Sequence, residues 1–232
     1  HTLIPTLPSF FSLFMKKTLL SIAASFLCLF AAFPFCAKAQ TEADKISLQQ
    51  LTDGTFSPQH LYGVHPLNDG ESYSRLSDDG RRIVRSSFKT GQEVGILFDL
   101  DQARTTAKVS RIDGYIMSPD EKRILLQTET HAIYRRTFTA VYYLYDVTSR
   151  KMERLSEGGP QMSPLFSPDG NVVAFARDNN LFVVKLLYGN AETRVTTDGK
   201  RNEVLNGIPD WVNEEEFGFN SAMTFNADGT ML

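Results

Sequence analysis

One pattern recurs four times along this chain and limits what it can become: a polar turn followed at once by a short β-branched or aliphatic run. The copies are SDDGRRIV at 77–84, SPDEKRILL at 118–126, SPDGNVVAF at 167–175 and NADGTML at 226–232, with starts 41, 49 and 59 residues apart. Pro at the second position presets φ, Asp bonds its own backbone and Gly supplies φ > 0, so each copy marks the start of a strand. Between them lie apolar runs such as VGILFDL at 94–100, AVYYLYDV at 140–147 and LFVVKLL at 181–187. Polar turns then lead to further candidates, KMERLS at 151–156 and ETRVTT at 192–197. Aromatic and β-branched enrichment at this spacing predicts strands rather than helices. Several strands in each forty to fifty residues predict an all-β partial β-propeller of about four blade repeats. A sandwich is the competing architecture, but it gives no reason for the same turn-plus-strand text to recur. The last copy stops at Leu232 as its strand begins, so the propeller domain, read over residues 40–232, is expected to be incomplete.

The N-terminal text is of another kind. Residues 1–14 open with His1, are apolar and proline-interrupted, and read as sequence upstream of the native start. From Met15, Lys16 and Lys17 form a positive n-region, Thr18 to Phe35 is uncharged and mostly apolar, and Ala37-Lys38-Ala39 supplies small residues for cleavage. Residues 15–39 therefore read as a signal peptide, with export to the periplasm or medium and a mature start at Gln40. A signal-anchored membrane protein is the rival, because the uncharged run could just span a bilayer. Cys28 and Cys36 are the only cysteines and both lie in this segment, so no disulfide is expected in the mature chain.

The whole chain has a formal charge of −3, and loss of Lys16, Lys17 and Lys38 with the leader takes it to −6. An acidic balance argues against nucleic acid, whose phosphates need a basic face, and favours a cationic ligand. His60, His65 and His131 show no metal-ligand spacing and read as surface or strand-packing residues. Gly158-Gly159-Pro160 reads as a turn, and no cofactor or metal is implied.

The longest interval between repeats contains NGIPDWVNEEEFGFNSA at 206–222. Asp210 before WVNEEEF predicts a short inserted helix with that aspartate near its N-cap and Glu214, Glu215 and Glu216 along it. On the residues alone, three glutamates are either a solvated face or a source of two adjacent carboxylates directed into a cavity. Two such charges repel, and an ammonium with three donors would relieve the repulsion by bridging them. A free peptide N-terminus is such a ligand. Arg135 and Arg136, on the same terms, are surface charges at a strand end.

The segment DWVNEEEFGF resembles the D-W-V-Y-E-E-E-x-F segment of the dipeptidyl peptidase IV family, with Asn213 in place of the usual tyrosine. YRRTFTAVYYLYDV at 134–147 resembles that family's W-R-H-S-Y-T-A-x-Y-x-I-Y-D-L segment. The resemblance implies that Glu215 and Glu216 hold the substrate's terminal amine and that Arg135 contacts substrate carbonyl oxygens. It extends over most of residues 45–232, with the glutamate segment its most specific element.

In that family a Ser-Asp-His triad lies on a C-terminal α/β-hydrolase domain with the nucleophile in G-W-S-Y-G. This chain has no G-x-S-x-G elbow, so it is expected to lack the catalytic domain and to be inactive alone, with no catalytic residue of its own. The resemblance implies the substrate-recognition part of a bacterial serine dipeptidyl aminopeptidase. Its substrates would be peptides with a free N-terminus, releasing X-Pro or X-Ala dipeptides, and a homodimer is allowed at full length. The alternative is a non-catalytic periplasmic propeller that binds a protein or peptide partner.

Overall fold

The computed structural model describes residues 45–58 and 63–232. The upstream segment 1–14, the signal segment 15–39 with Cys28, Cys36 and the cleavage site at Ala39, and His60 lie outside the described residues. The chain divides into two units, residues 1–60 and 61–232. The described part of the first holds one short helix, α1 (Leu48–Thr52), closed by a capping box between Ser47 and Gln50. Among the described residues no helix is long and apolar enough to cross a membrane.

The second unit is a succession of three four-stranded antiparallel sheets, each made of strands consecutive in sequence. The first is β1 (His65–Pro66), β2 (Ser72–Leu76), β3 (Arg82–Ser87) and β4 (Glu93–Asp99). The second is β5 (Gly114–Met117), β6 (Arg123–Ala132), β7 (Phe138–Asp146) and β8 (Met152–Arg154). The third is β9 (Met162–Phe166), β10 (Val172–Arg177), β11 (Asn180–Lys185) and β12 (Ala191–Arg194). A 3-10 turn, Leu186–Tyr188, follows β11, and the α-helix of this unit among the described residues is α2 (Trp211–Phe217). Meandering four-stranded sheets of this kind are propeller blades, and the unit is a partial, open β-propeller.

The second blade explains the continuous apolar runs. Successive strand side chains point to opposite faces, and here both faces are covered. Ile124, Leu126, Val141, Tyr143 and Tyr145 pack with Ile83 and Phe98 of the first blade. Leu125, Ala140, Tyr142 and Leu144 pack with Phe166, Val173, Phe175 and Val184 of the third. A strand buried on both sides has no polar alternation to show. Each fully buried large apolar side chain contributes roughly 1.5–3 kcal/mol, and Tyr142, Phe98, Phe175, Ile124, Leu125 and Leu126 all reach that state.

The repeated turns share one geometry but not one position. Ser118 and Ser167 each donate N–H to the residue five ahead, closing hairpins between the first and second strands of their blades. In the first blade that place is taken by Leu67-Asn68-Asp69-Gly70, whose Leu67 N–H donates to Ser72 O at 2.9 Å. SDDG at 77–80 closes the next hairpin, between β2 and β3, with the same bonds. The first copy is thus one strand out of phase with the second and third, because any hairpin needing an Asx bond and a positive φ selects the same residues. The turns that are in phase touch their neighbours: Asn68 Nδ2 donates to Pro119 O at 2.7 Å, and Arg123 Nη1 to Gly170 O at 2.9 Å. The fourth copy closes its turn, Asn226 N–H to Met231 O at 3.0 Å, without pairing into a sheet among the described residues.

Candidate functional site: a hairpin tip against a short helix

The sequence of α2 sets both its ends. Asp210 is the N-cap, its Oδ1 accepting from Asn213 N at 2.8 Å and from Asn213 Nδ2 at 3.0 Å. Asn213, at the usual tyrosine position, thus reinforces the cap. Gly218 ends the helix at φ 75°, donating N–H to Glu214 O at 3.0 Å, the left-handed conformation that glycine adopts without a Cβ penalty. Between these caps the three glutamates follow one another at about 100° around the axis, so they cannot share one environment.

Glu214 turns inward and is 1 % exposed. Its partners come from the tip between β6 and β7, residues 133–137. Oε1 accepts from Arg136 N at 2.5 Å and Thr137 N at 3.1 Å, and Oε2 accepts from the Thr137 hydroxyl. Burial works to raise the Glu214 pKa, but the Thr137 hydroxyl, the two amides and the Arg136 guanidinium outweigh it and hold the carboxyl below the usual glutamate range. Asn220, just past α2, donates Nδ2 to Arg136 O at 2.9 Å and accepts from Ser163 Oγ of β9 at 2.7 Å. Tip, helix and third blade are therefore tied together at one place.

That tie brings the expected site residues to one edge. Arg135 Nη2 lies 3.2 Å from Glu215 Oε2, with the Arg135 side chain 72 % exposed and Glu215 20 %. Glu216 is exposed on the next position of the helix and makes no ion pair among the described residues. With Glu214, Glu215 and Glu216 on the helix and Asp210 at its N-cap, carboxylates outnumber the guanidiniums of Arg135 and Arg136 and the cluster is net negative. The neighbouring cleft of about 370 Å³ is lined by Phe138, Tyr142, Ser163 and Asn220, and includes neither Glu215 nor Glu216. The two acids stand on an open rim, where Tyr134, Trp211, Phe217 and Phe219 are also exposed. His65 packs edge-on against Tyr115 at 4.9 Å, and His131 lies exposed near the end of β6. Among the described residues no group of three or more His, Cys, Asp or Glu could hold a metal.

The family profile described as the dipeptidyl peptidase IV N-terminal region matches residues 118–232, a span holding both the tip and α2. The chain resembles the crystal structure of Porphyromonas gingivalis dipeptidyl peptidase 4 with a TM-score of 0.72 and 40% identity, over 79% of this chain and 26% of that one. The chain belongs to the dipeptidyl peptidase IV family. Relatives in sequence include the human prolyl endopeptidase FAP, 31% identical over 74% of this chain and 21% of its own length. A probable dipeptidyl-aminopeptidase B of Colletotrichum graminicola is 30% identical over 93% of this chain and 27% of its length. The chain thus spans about a fifth to a quarter of the relatives it matches, and within the dipeptidyl peptidase IV family it corresponds to the N-terminal propeller region.

Sequence reasoning grouped Glu214 with its neighbours as part of a charged run and gave it no separate role. The signal that singles it out is the N-cap at Asp210: once the helix start is fixed, the periodicity puts residue 214 on a different face from residue 216.

Proposed function

We propose that this chain is the substrate-gripping part of a serine dipeptidyl peptidase, with Glu215 and Glu216 receiving the substrate ammonium and Arg135 the carbonyl oxygens nearby. The observation that carries this reading is the Arg135–Glu215 pair beside an unpaired Glu216. An ammonium brings positive charge to a net negative cluster and three donors for the two carboxylates. Arg135 holds Glu215 in place while keeping donors free for a carbonyl. The names of the relatives, dipeptidyl peptidases and a prolyl endopeptidase, support a peptide hydrolase acting through a domain beyond these residues. A grip at a fixed distance from the nucleophile makes length from the N-terminus the specificity rule, with Pro or Ala at the second position as the expected preference. Export after cleavage near Ala39 belongs to the same reading.

The test uses the full-length protein. Glu216→Gln and Glu215→Gln remove a charge-assisted contact of roughly 1.5–3 kcal/mol, so kcat/KM for free-amine substrates should fall about tenfold to a hundredfold. Labelling of the serine by a small fluorophosphonate, which makes no use of an amine site, should persist. Two folded variants that cleave at wild-type efficiency would leave the glutamates a solvated face and remove the grip.

A further inference from the structure

We infer that Glu214 is a positioning residue for this site: it joins the hairpin tip to α2 so that Arg135 and Glu215 are held face to face. The inference rests on the reading of Glu215, Glu216 and Arg135 as the amine grip and extends it to a residue that itself touches no substrate.

The argument begins with covalent neighbours. Glu214 immediately precedes Glu215, and the two amides it accepts from belong to Arg136 and Thr137, the residues immediately after Arg135. One carboxylate thus binds the backbone beside each partner of the Arg135–Glu215 pair. Those partners are 80 residues apart in sequence, and the arginine side chain is largely in solvent. An exposed ion pair cannot fix two loops by itself, since solvent screening and side-chain entropy leave it little net strength.

Burial of a carboxylate away from water is costly unless its oxygens are satisfied. Here the satisfied oxygens are the means of attachment. Arg136 and Thr137 have no ladder partner for these amides, because the tip lies beyond the β6–β7 pairing that ends at Ala132 and Phe138. Without Glu214 the tip loses two acceptors at once, and Arg135 moves with it. Displacement of a binding group by about an ångström can cost on the order of a hundredfold in rate.

The experiment is a double-mutant cycle in the full-length enzyme, read as kcat/KM for a free-amine dipeptidyl substrate and as the rate of fluorophosphonate labelling. Glu214→Ala should lower kcat/KM about thirtyfold to a hundredfold with labelling within about twofold of wild type. Glu214→Gln keeps the shape and an acceptor for the amides, and should recover part of the loss; it also supplies the readout if the alanine variant does not fold. In a Glu215→Gln background the further effect of Glu214→Ala should shrink to about threefold or less, because residues that act through one another are not additive. Wild-type kcat/KM in folded Glu214 variants overturns the inference. So does a parallel fall in labelling, which marks a fold defect, or full additivity, which places its action elsewhere. The grip reading is judged separately, from Glu215→Gln alone: an unimpaired Glu215→Gln variant defeats that reading, whereas an impaired one beside an unimpaired Glu214→Ala defeats only the positioning role.

Discussion

Two central hairpins of neighbouring blades differ in how they end. In the third blade, β10 and β11 are six residues each and meet at Asp178-Asn179, both at positive φ, 49° and 60°. That is a two-residue turn whose twist matches the strands it joins. In the second blade, β6 and β7 run to ten and nine residues, pass a register shift between Thr128 and His131, and end in the tip at 133–137. The short hairpin closes with its own backbone. The long one does so only in part, Ile133 N and Tyr134 N donating to Thr137 O at 2.8 and 3.1 Å, while its amides at Arg136 and Thr137 are satisfied by Glu214, almost eighty residues later. The excess length that carries Arg135 away from the blade is the same excess that needs an outside acceptor. Reach and dependence come together.

The most disruptive way to break this contrast is Glu214→Ala. Removal of a charged acceptor from a buried amide, a part-buried amide and a buried hydroxyl costs roughly 2–3 kcal/mol, and each 1.4 kcal/mol is about tenfold in an equilibrium. Amide hydrogen exchange at Arg136 and Thr137 should therefore speed up about a hundredfold, while amides of β10 and β11 keep their protection. Equal acceleration in both hairpins would mean that the carboxylate supports the whole unit and that the tip has no separate dependence on it.

What the sequence made legible follows the same division. Strands such as β7 and β10 announce themselves because consecutive residues are buried on both faces, and AVYYLYDV could be little else. The helix start at Asp210 was legible because an N-cap is a local bond, made here to Asn213. The phase of the repeat was not, because the same Asx-and-glycine chemistry closes Leu67–Gly70 and Ser77–Gly80 in successive hairpins of one blade. Glu215, Glu216 and Arg135 were found through resemblance, and the structure brings Arg135 and Glu215 within 3.2 Å. Glu214 was passed over because its partners are backbone groups of a distant tip, and no side-chain text records a backbone acceptor's need.

Acid should weaken the long hairpin selectively, and by less than deletion does, because a protonated carboxyl keeps some of its contacts. The charged group acting directly on Glu214 is Arg136 of the tip; Arg135, Glu215, Glu216 and Asp210 lie nearby on the tip or on and beside its own helix. Its carboxyl is held below the ordinary glutamate value, so the folded state favours the ionised form. The resulting stability is complete above the ordinary value of about 4.3 and is lost as pH falls through the lowered one. Capping aspartates such as Asp79, Asp169 and Asp228 are lowered too, by their own turn hydroxyls and amides, so a global melt would mix all of them. A local measurement avoids this: exchange at Arg136 and Thr137, corrected for intrinsic rate, should rise as pH falls below about 4.3 in wild type and stay level in Glu214→Gln. A rise of the same size in the glutamine variant would assign the acid response to the other carboxylates.

The smallest effect belongs to the short hairpin. Asn179 sits at φ 60°, where an ordinary L-residue costs roughly 1–2 kcal/mol and asparagine or glycine much less. Its carbonyl accepts from Asn206 N and Nδ2, both at 3.1 Å, and these bonds use only the backbone, so a side-chain change leaves them in place. Asn179→Ala should destabilise the protein by about 1 kcal/mol through backbone strain alone, and Asn179→Gly should be neutral or slightly stabilising, as glycine is favoured at this place in such a turn. Neither should alter kcat/KM for a free-amine substrate, since the turn lies outside the tip-to-helix connection. Thermal unfolding and kinetics on both variants check this together. Should Asn179→Ala impair catalysis while the fold holds, the third blade's hairpin would also be coupled to the site, and the division between a self-closed hairpin and a dependent one would no longer stand.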